Sequence, residues 1–233
     1  MKRFWKQASL AQVEDGWQVM LDGRAVKTRQ GHPQVVPTQA LGDLLRAEWA
    51  AAPEEFQPDQ FPLRDLADRG IDTIAGDPSP VIDRLLRFAD GDTLCYRAEP
   101  DEAVGRRQAK VWEPVVKQVE ADFGIALNRT HGILHRPQPP ESLAVIRERL
   151  AQENAFVLAA LDMAASLAAS LCVALTGLKT DSDLQELWAA ANLEEDWQAE
   201  QWGADAEARA RRDEKQAEFT RALAFARAAT KAA

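Results

Sequence analysis

Residues 17–28 read WQVMLDGRAVKT, and this stretch decides the fold of the first part of the chain. Apolar and polar side chains alternate over 17–21, which is the period of a strand with one buried face. Asp22-Gly23 follows as a strong two-residue hairpin signal, and 24–28 supplies a returning strand. The stretch therefore predicts an antiparallel hairpin.

Further strand-like sequence lies on both sides of this hairpin. Residues 8–13 precede it across a turn at 14–16, and Gly31-His32-Pro33 turns the chain again before 34–36. Together these segments predict an antiparallel meander. A sheet of this size is too small to hold a robust core alone, so we expect it to pack on a helix or a partner.

The period of the apolar residues changes at Thr38, a plausible helix N-cap. Leu41, Leu45 and Trp49 follow at helical spacing. Helical patterns without an internal repeat then continue to the end of the chain. We predict an α+β protein in which a small antiparallel β domain, residues 1–37, is followed by a larger all-helical domain, residues 38–233.

Residues 155–177, AFVLAALDMAASLAASLCVALTG, are long enough at roughly 20 residues to cross a bilayer. However, Asp162 lies inside the segment, its apolar residues are mainly alanine, and Ser166 and Ser170 add polarity. Because a charge near the middle of a span is costly, the segment predicts a buried helix at the centre of the helical domain. No stable membrane insertion is expected.

Composition limits the classes of partner and the compartment. The net charge of −9 repels phosphate backbones, so nucleic-acid binding is not expected. Cys95 and Cys172 stand in apolar segments without metal or redox spacing, which predicts buried free thiols and a reducing compartment. The N-terminal residues lack the pattern of a signal peptide, which indicates a bacterial cytoplasmic protein or a processed organelle protein.

Motifs of catalysis and cofactor binding are missing from the sequence. It contains no Walker phosphate loop, no dinucleotide-binding glycine pattern and no nucleophile elbow. His131 and His135 are four residues apart, but no third metal ligand stands out. We therefore expect no catalytic residue, no metal, no cofactor and no small-molecule substrate.

The unusual segment is 193–203, LEEDWQAEQWG, in which adjacent carboxylates precede two tryptophans. One interpretation is an amphipathic helix with tryptophans in the core and solvated or arginine-paired glutamates. The other is a carboxylate held ready for a partner's basic group or backbone N–H groups. Heptad spacing groups Glu195 with Trp188 and Trp202. Paired-carboxylate catalysis is disfavoured, because Glu194 and Glu195 point roughly 100° apart on a helix.

Ten short strings occur in the order found in one known family. They are Leu21-Asp22-Gly23-Arg24, Val26-Lys27-Thr28, Pro37-Thr38, Glu48-Trp49, Pro62-Leu63, Leu66-Ala67, Ile71-Asp72, Asp92-Thr93-Leu94-Cys95-Tyr96-Arg97, Gln108 with Trp112 and Pro114, and Leu193-Glu194-Glu195 with Gln198 and Trp202-Gly203. The chain resembles the chaperones that assemble the catalytic sector of the F-type ATP synthase, specifically the member that holds the α subunit. It departs from the family pattern at Arg29, where proline is common, and at Glu113, where aspartate is common.

The resemblance implies a chaperone that binds the unassembled α subunit, shields its apolar β-facing surface and prevents aggregation without hydrolysing nucleotide. It implies partner binding by Glu195, Glu194, Gln198 and Trp202, and does not separate the two glutamates. It further implies a bacterial cytoplasmic protein whose eukaryotic relatives lie in the mitochondrial matrix. Two alternatives stay open: a helical adaptor with another partner, and a metal-free enzyme that uses the Glu194 region.

Overall fold

The computed structural model describes residues 2–57, 60–132, 136–203 and 205–230. Its N-terminal strands are β1 (Ala8–Val13), β2 (Gly16–Leu21), β3 (Arg24–Ala25) and β4 (Val35–Val36). Strand β2 pairs antiparallel with each of the other three strands. The predicted antiparallel sheet is confirmed, but β4 pairs with β2 and not with β3, so the strands do not form a simple meander, and the strand expected over 24–28 is regular only at 24–25.

A tight turn joins β2 to β3, as the Asp22-Gly23 signal predicted. Both residues have positive φ, 47° for Asp22 and 79° for Gly23, which is the geometry of a primed hairpin turn. The Asp22 carboxylate accepts hydrogen bonds from the backbone N–H groups of Gln7, at 2.9 Å, and Lys6, at 3.0 Å. These backbone bonds lower the pKa of Asp22 and fasten the turn to the chain just before β1.

Most of the remaining chain is helical, as the change of period predicted. The helices are α1 (Gln39–Ala51), α2 (Pro62–Arg69), α3 (Ser79–Asp90), α4 (Ala103–Phe123), α5 (Pro140–Leu150), α6 (Ala155–Ala168), α7 (Leu171–Gly177), α8 (Leu184–Ala191), α9 (Leu193–Trp202) and α10 (Ala206–Ala229). A π-helical turn at Gly70–Ile74 extends α2, and Thr93–Cys95 forms a 3₁₀ turn. The helical part also contains a short parallel pair, β5 (Tyr96–Arg97) with β6 (Thr130–His131).

By their contacts, the described residues form two compact units. Unit 1 takes them from segments 1–78, 153–160 and 224–233, and unit 2 from segments 79–152 and 161–223. The change from strands to helices falls between β4 and α1, both of which belong to unit 1. A separate β domain ending near Pro37 stays a prediction.

In unit 1 the sheet packs on α1, which agrees with the expectation that a sheet of this size packs on a helix or a partner. Gly42 of α1 permits a close approach, because a Cβ there would lie 2.7 Å from Leu10 Cδ1. An aromatic cluster continues this core. The Trp49 ring lies 5.0 Å from the ring of Trp5 and 4.5 Å from that of Phe61, measured between centroids.

The alanine-rich segment, of which 155–160 belong to unit 1 and the rest to unit 2, is mostly buried as predicted, but the prediction of one helix over 155–177 is wrong. The helix breaks at Ala169, whose φ is 47°, and Ser170 caps α7 by accepting from the Val173 N–H at 3.1 Å. The buried Asp92 carboxylate stabilises this break, because it accepts from Ser170 Oγ at 2.7 Å and from the Cys172 N–H at 2.8 Å. A long-range contact thus overrides local helix propensity.

The apolar segments contain one carboxylate that is paired and two cysteines that are buried. Asp162 forms a bidentate ion pair with Arg84, so its charge is compensated. Cys95 and Cys172 are free and buried, as predicted, and burial raises the pKa of the Cys95 thiol to about 12. Within the described residues, no helix combines the length and apolarity that a membrane crossing requires.

Candidate functional site

The acidic segment singled out from the sequence forms α9. A break at Asn192 separates this helix from the one before it, because α8 ends at Ala191 and α9 begins at Leu193. This break interrupts the heptad relation that grouped Trp188 with Glu195. Trp188 is only 2% exposed and packs on Phe219, with 5.4 Å between ring centroids. It belongs to the core of unit 2.

Local chemistry explains where α9 begins and ends. Its first turn carries Glu194, Glu195 and Asp196, and negative charge near a helix N-terminus is favoured by the helix dipole. The helix ends at Gly203, whose φ of 83° disfavours other residues. The Gly203 N–H donates to the carbonyl of Ala199 at 2.9 Å.

Side chains on the inner face of α9 attach it to the rest of unit 2. Asp196 forms a bidentate ion pair with Arg212 of α10. Glu200 accepts from Arg107 Nη1 of α4 at 2.6 Å, and the same guanidinium lies over the Trp197 ring, 5.7 Å from its centroid. With contacts to two other helices, α9 has a defined orientation.

Glu194 has an internal partner that sequence reasoning missed. Its Oε1 accepts from Gln108 Nε2 at 2.6 Å, and Gln108 Oε1 accepts from the Ala98 N–H at 2.8 Å. Gln108 is fully buried, so Glu194 supplies the acceptor that the Gln108 amide N–H would otherwise lack. The only signal in the sequence was that both residues stand in strings carrying the family resemblance.

Glu195, Gln198 and Trp202 lie at positions i, i+3 and i+7 of α9 and share its outer face. All three are exposed, and Trp202 is 80% exposed. Within the described residues, the Glu195 carboxylate makes no hydrogen bond or ion pair. We call Glu195, Gln198 and Trp202 the outer face of α9; it is the candidate functional site.

The seven tryptophans differ in their exposure to solvent. Four are buried and two are partly exposed, so only Trp202 presents most of its ring to solvent. The buried four are Trp5, Trp49, Trp112 and Trp188. Tryptophan is enriched among the residues that anchor protein interfaces, so Trp202 is a candidate anchor.

A groove of about 650 Å³ lies beside the inner face of α9. Its lining combines apolar side chains such as Leu187 and Leu193 with charged groups, three of which have structural partners. Arg107 and Asp196 hold α9, and Asp183 caps α8 by accepting from the Gln185 N–H at 2.7 Å. These charges position helices, so the outer face of α9 is the better candidate site.

The histidine pair considered for a metal site is only partly described. His131 Nδ1 lies 2.9 Å from the carbonyl oxygen of Ala98, to which it donates a hydrogen bond. His135 lies outside the described residues. Over the described ranges, no group of three or more histidine, cysteine, aspartate or glutamate side chains is arranged to hold a metal ion.

Comparisons with known proteins agree with the family resemblance. A family model described as the ATP12 chaperone protein matches residues 2–120. The chain is similar to the crystal structure of Atp12 from Paracoccus denitrificans, with a TM-score of 0.91, 31% identity and 98% of each chain covered. A proposed chaperone from Agrobacterium tumefaciens is 39% identical, with a TM-score of 0.89 over 97% of this chain and 84% of that one.

A curated relative extends the similarity to eukaryotes. The mitochondrial protein atp12 of Schizosaccharomyces pombe is 28% identical over 214 residues, which cover 87% of this chain and 74% of the relative. Fold and relatives together define the class as a chaperone. The chain belongs to the ATP12 chaperone family, the assembly chaperones of the ATP synthase.

Proposed function

We propose that this chain binds the unassembled α subunit of the F-type ATP synthase and shields the apolar surface that later meets the β subunit. The outer face of α9 carries this proposal, because it joins an unpaired carboxylate to an exposed tryptophan. A partner arginine or a set of backbone N–H groups on Glu195 would form charge-assisted hydrogen bonds. Trp202 would supply apolar contact area beside them.

The physical task is to cover a surface that is apolar only because its neighbour is missing. An isolated subunit exposes its future interface, and a large exposed apolar patch drives aggregation. Binding needs neither catalysis nor a nucleotide, and we propose that the chain has no enzymatic activity. We also propose the bacterial cytoplasm as its compartment, whereas the curated relatives are named as mitochondrial.

Light scattering by isolated α subunit tests this function. We expect the chain to suppress aggregation equally with and without ATP, and to leave aggregation of isolated β subunit unchanged. If the chain fails to protect α subunit that is competent to fold, the assignment is refuted. Equal protection of the β subunit would point instead to a less selective protein-binding adaptor.

A further inference from the structure

Unit 1 contains a groove of about 510 Å³ that the proposed function does not use. Its apolar lining includes Leu21 and Val26 from the sheet region and Trp49 from α1. Phe4 stands at its border with 69% of its surface exposed. Apart from Trp202, Phe4 is the only large apolar side chain of the described residues that is highly exposed, so the groove offers an unfilled apolar surface.

Charged side chains at this groove are mainly cationic. Arg29 and Arg64 both pair with Asp65, each at 2.7 Å. The side chains of Arg24 and Lys27 are exposed and form no hydrogen bond or ion pair within the described part of the chain, although the charge of Arg24 helps to lower the pKa of the nearby Asp22 carboxyl. Both are therefore available to a partner.

The carboxylate in the lining does not neutralise these two cations. Asp68 is 5% exposed, and it accepts from Gln34 Nε2 at 2.6 Å and from the Arg29 N–H at 3.2 Å. Its charge is thus directed into the structure. The available charge at the rim of the groove is positive in a chain whose net charge is −9.

We propose that this groove binds an acidic segment of the client subunit, with one apolar side chain seated against Phe4 and Trp49. Carboxylates on either side of that apolar residue would pair with Arg24 and Lys27. The proposal rests on the proposed function for the identity of the client. It adds a second client-binding surface whose charge is opposite to that of Glu195, since Glu195 would bind a basic group.

Two surfaces of opposite charge would bind different parts of one client. Each contact can be weak by itself, because linked contacts raise the overall affinity without a new tight interface. Weak separate contacts also suit a chaperone that must yield its client to another subunit. The groove would therefore contribute to affinity and to the choice of client.

Charge reversal at the rim tests the groove. Lys27→Glu changes an exposed side chain without an internal partner, so we expect an unchanged thermal midpoint. Arg24→Glu also replaces a favourable charge interaction with Asp22 by a repulsive one, so its affinity is compared at equal concentrations of folded protein. Lys215→Glu is the matched control, because it makes the same charge change at an exposed position of α10. With isolated α subunit, we expect Kd to rise roughly tenfold for each groove variant and by less than about twofold for the control.

Salt dependence and a variant of the apolar lining complete the test. We expect binding by the wild-type chain to weaken with salt more steeply than binding by Lys27→Glu, because exposed charge pairs are screened. Phe4→Ser should also raise Kd. If Arg24→Glu, Lys27→Glu and Phe4→Ser all bind with wild-type affinity, the proposed role of the groove is wrong, while the proposed α-subunit function is unaffected.

A peptide assay separates the two proposals if the wild-type chain does not bind α subunit. The probes are a labelled peptide alternating glutamate with phenylalanine and its lysine-containing counterpart, measured by fluorescence polarisation. We expect the acidic peptide to bind and Lys27→Glu to abolish that binding. If the acidic peptide does not bind, or if the lysine peptide binds equally well, the proposed role of the groove is wrong, whatever the client of the chaperone is.

Discussion

At the scale of single residues, Glu194 and Glu195 are adjacent in the chain and yet have different surroundings. Glu194 is bound by the buried Gln108 amide, whereas Glu195 makes no polar contact within the described residues. Other strings that carry the family resemblance are also joined internally. Thr28 Oγ1 donates to Asp72 at 2.7 Å, for example. Glu195 is the glutamate of the acidic string that has no such structural use.

Glu195→Gln tests whether this carboxylate binds the client. The change keeps the side-chain volume and removes the charge, so we expect a thermal midpoint close to that of the wild-type chain. Loss of a charge-assisted hydrogen bond should weaken binding of the α subunit by roughly 1.5–3 kcal/mol. The measurements are Kd for isolated α subunit and thermal unfolding by circular dichroism. Unchanged affinity would refute a functional role for Glu195.

Glu194→Ala is the matched variant next to it. It leaves the buried Gln108 amide without its acceptor, so we expect the free energy of unfolding to fall by roughly 1–3 kcal/mol. Affinity per folded molecule should change less than in Glu195→Gln. The reverse result, an affinity loss for Glu194→Ala at unchanged stability, would exchange the roles of the two residues.

At the scale of elements, the break between α6 and α7 depends on Asp92. Its buried carboxylate accepts from the N–H groups of Leu94 and Cys172 and from the Ser170 hydroxyl. Desolvation raises the pKa of Asp92, and these hydrogen bonds act against that rise. One side chain thus connects the 3₁₀ turn after α3 to the start of α7.

Asp92→Ala removes the carboxylate that accepts hydrogen bonds from three buried donors. We expect the free energy of unfolding to fall by at least about 3 kcal/mol, as measured by urea denaturation. Asp213→Ala, on the exposed part of α10, is the control and should change it by less than about 0.5 kcal/mol. Similar effects of the two substitutions would show that the break does not depend on Asp92.

At the scale of the whole molecule, stability in acid depends on a group of ion pairs between α4 and the segment that precedes β6. Desolvation acts to raise the pKa values of Glu113 and Glu120, but hydrogen bonds outweigh it and lower both from 4.5. Arg129 donates to both carboxylates. Arg97 adds to the effect at Glu113, and the Leu127 N–H adds to it at Glu120. Since the folded pKa values are depressed, this stabilisation is present above pH 4.5. It is lost as the pH falls through the lower folded values.

Arg129→Gln isolates this contribution. We expect the difference in unfolding free energy between the wild-type chain and this variant to be largest above about pH 5 and to shrink toward pH 3. Urea denaturation at several pH values measures it, and comparison with the variant cancels the effects of the other carboxylates. A difference that does not vary over this range would contradict the assignment to Glu113 and Glu120.

The sequence by itself determined that N-terminal antiparallel strands are followed by helices, and it determined the Asp22-Gly23 turn, the burial of residues 155–177 and the family. Periodicity, turn geometry and apolar composition are properties of neighbouring residues, so they can be read locally. The tertiary structure alone separated Glu194 from Glu195 and split α6 from α7. The Gln108 contact with Glu194 spans 86 residues and the Asp92 contact with Ser170 spans 78, and no local pattern specifies such pairings.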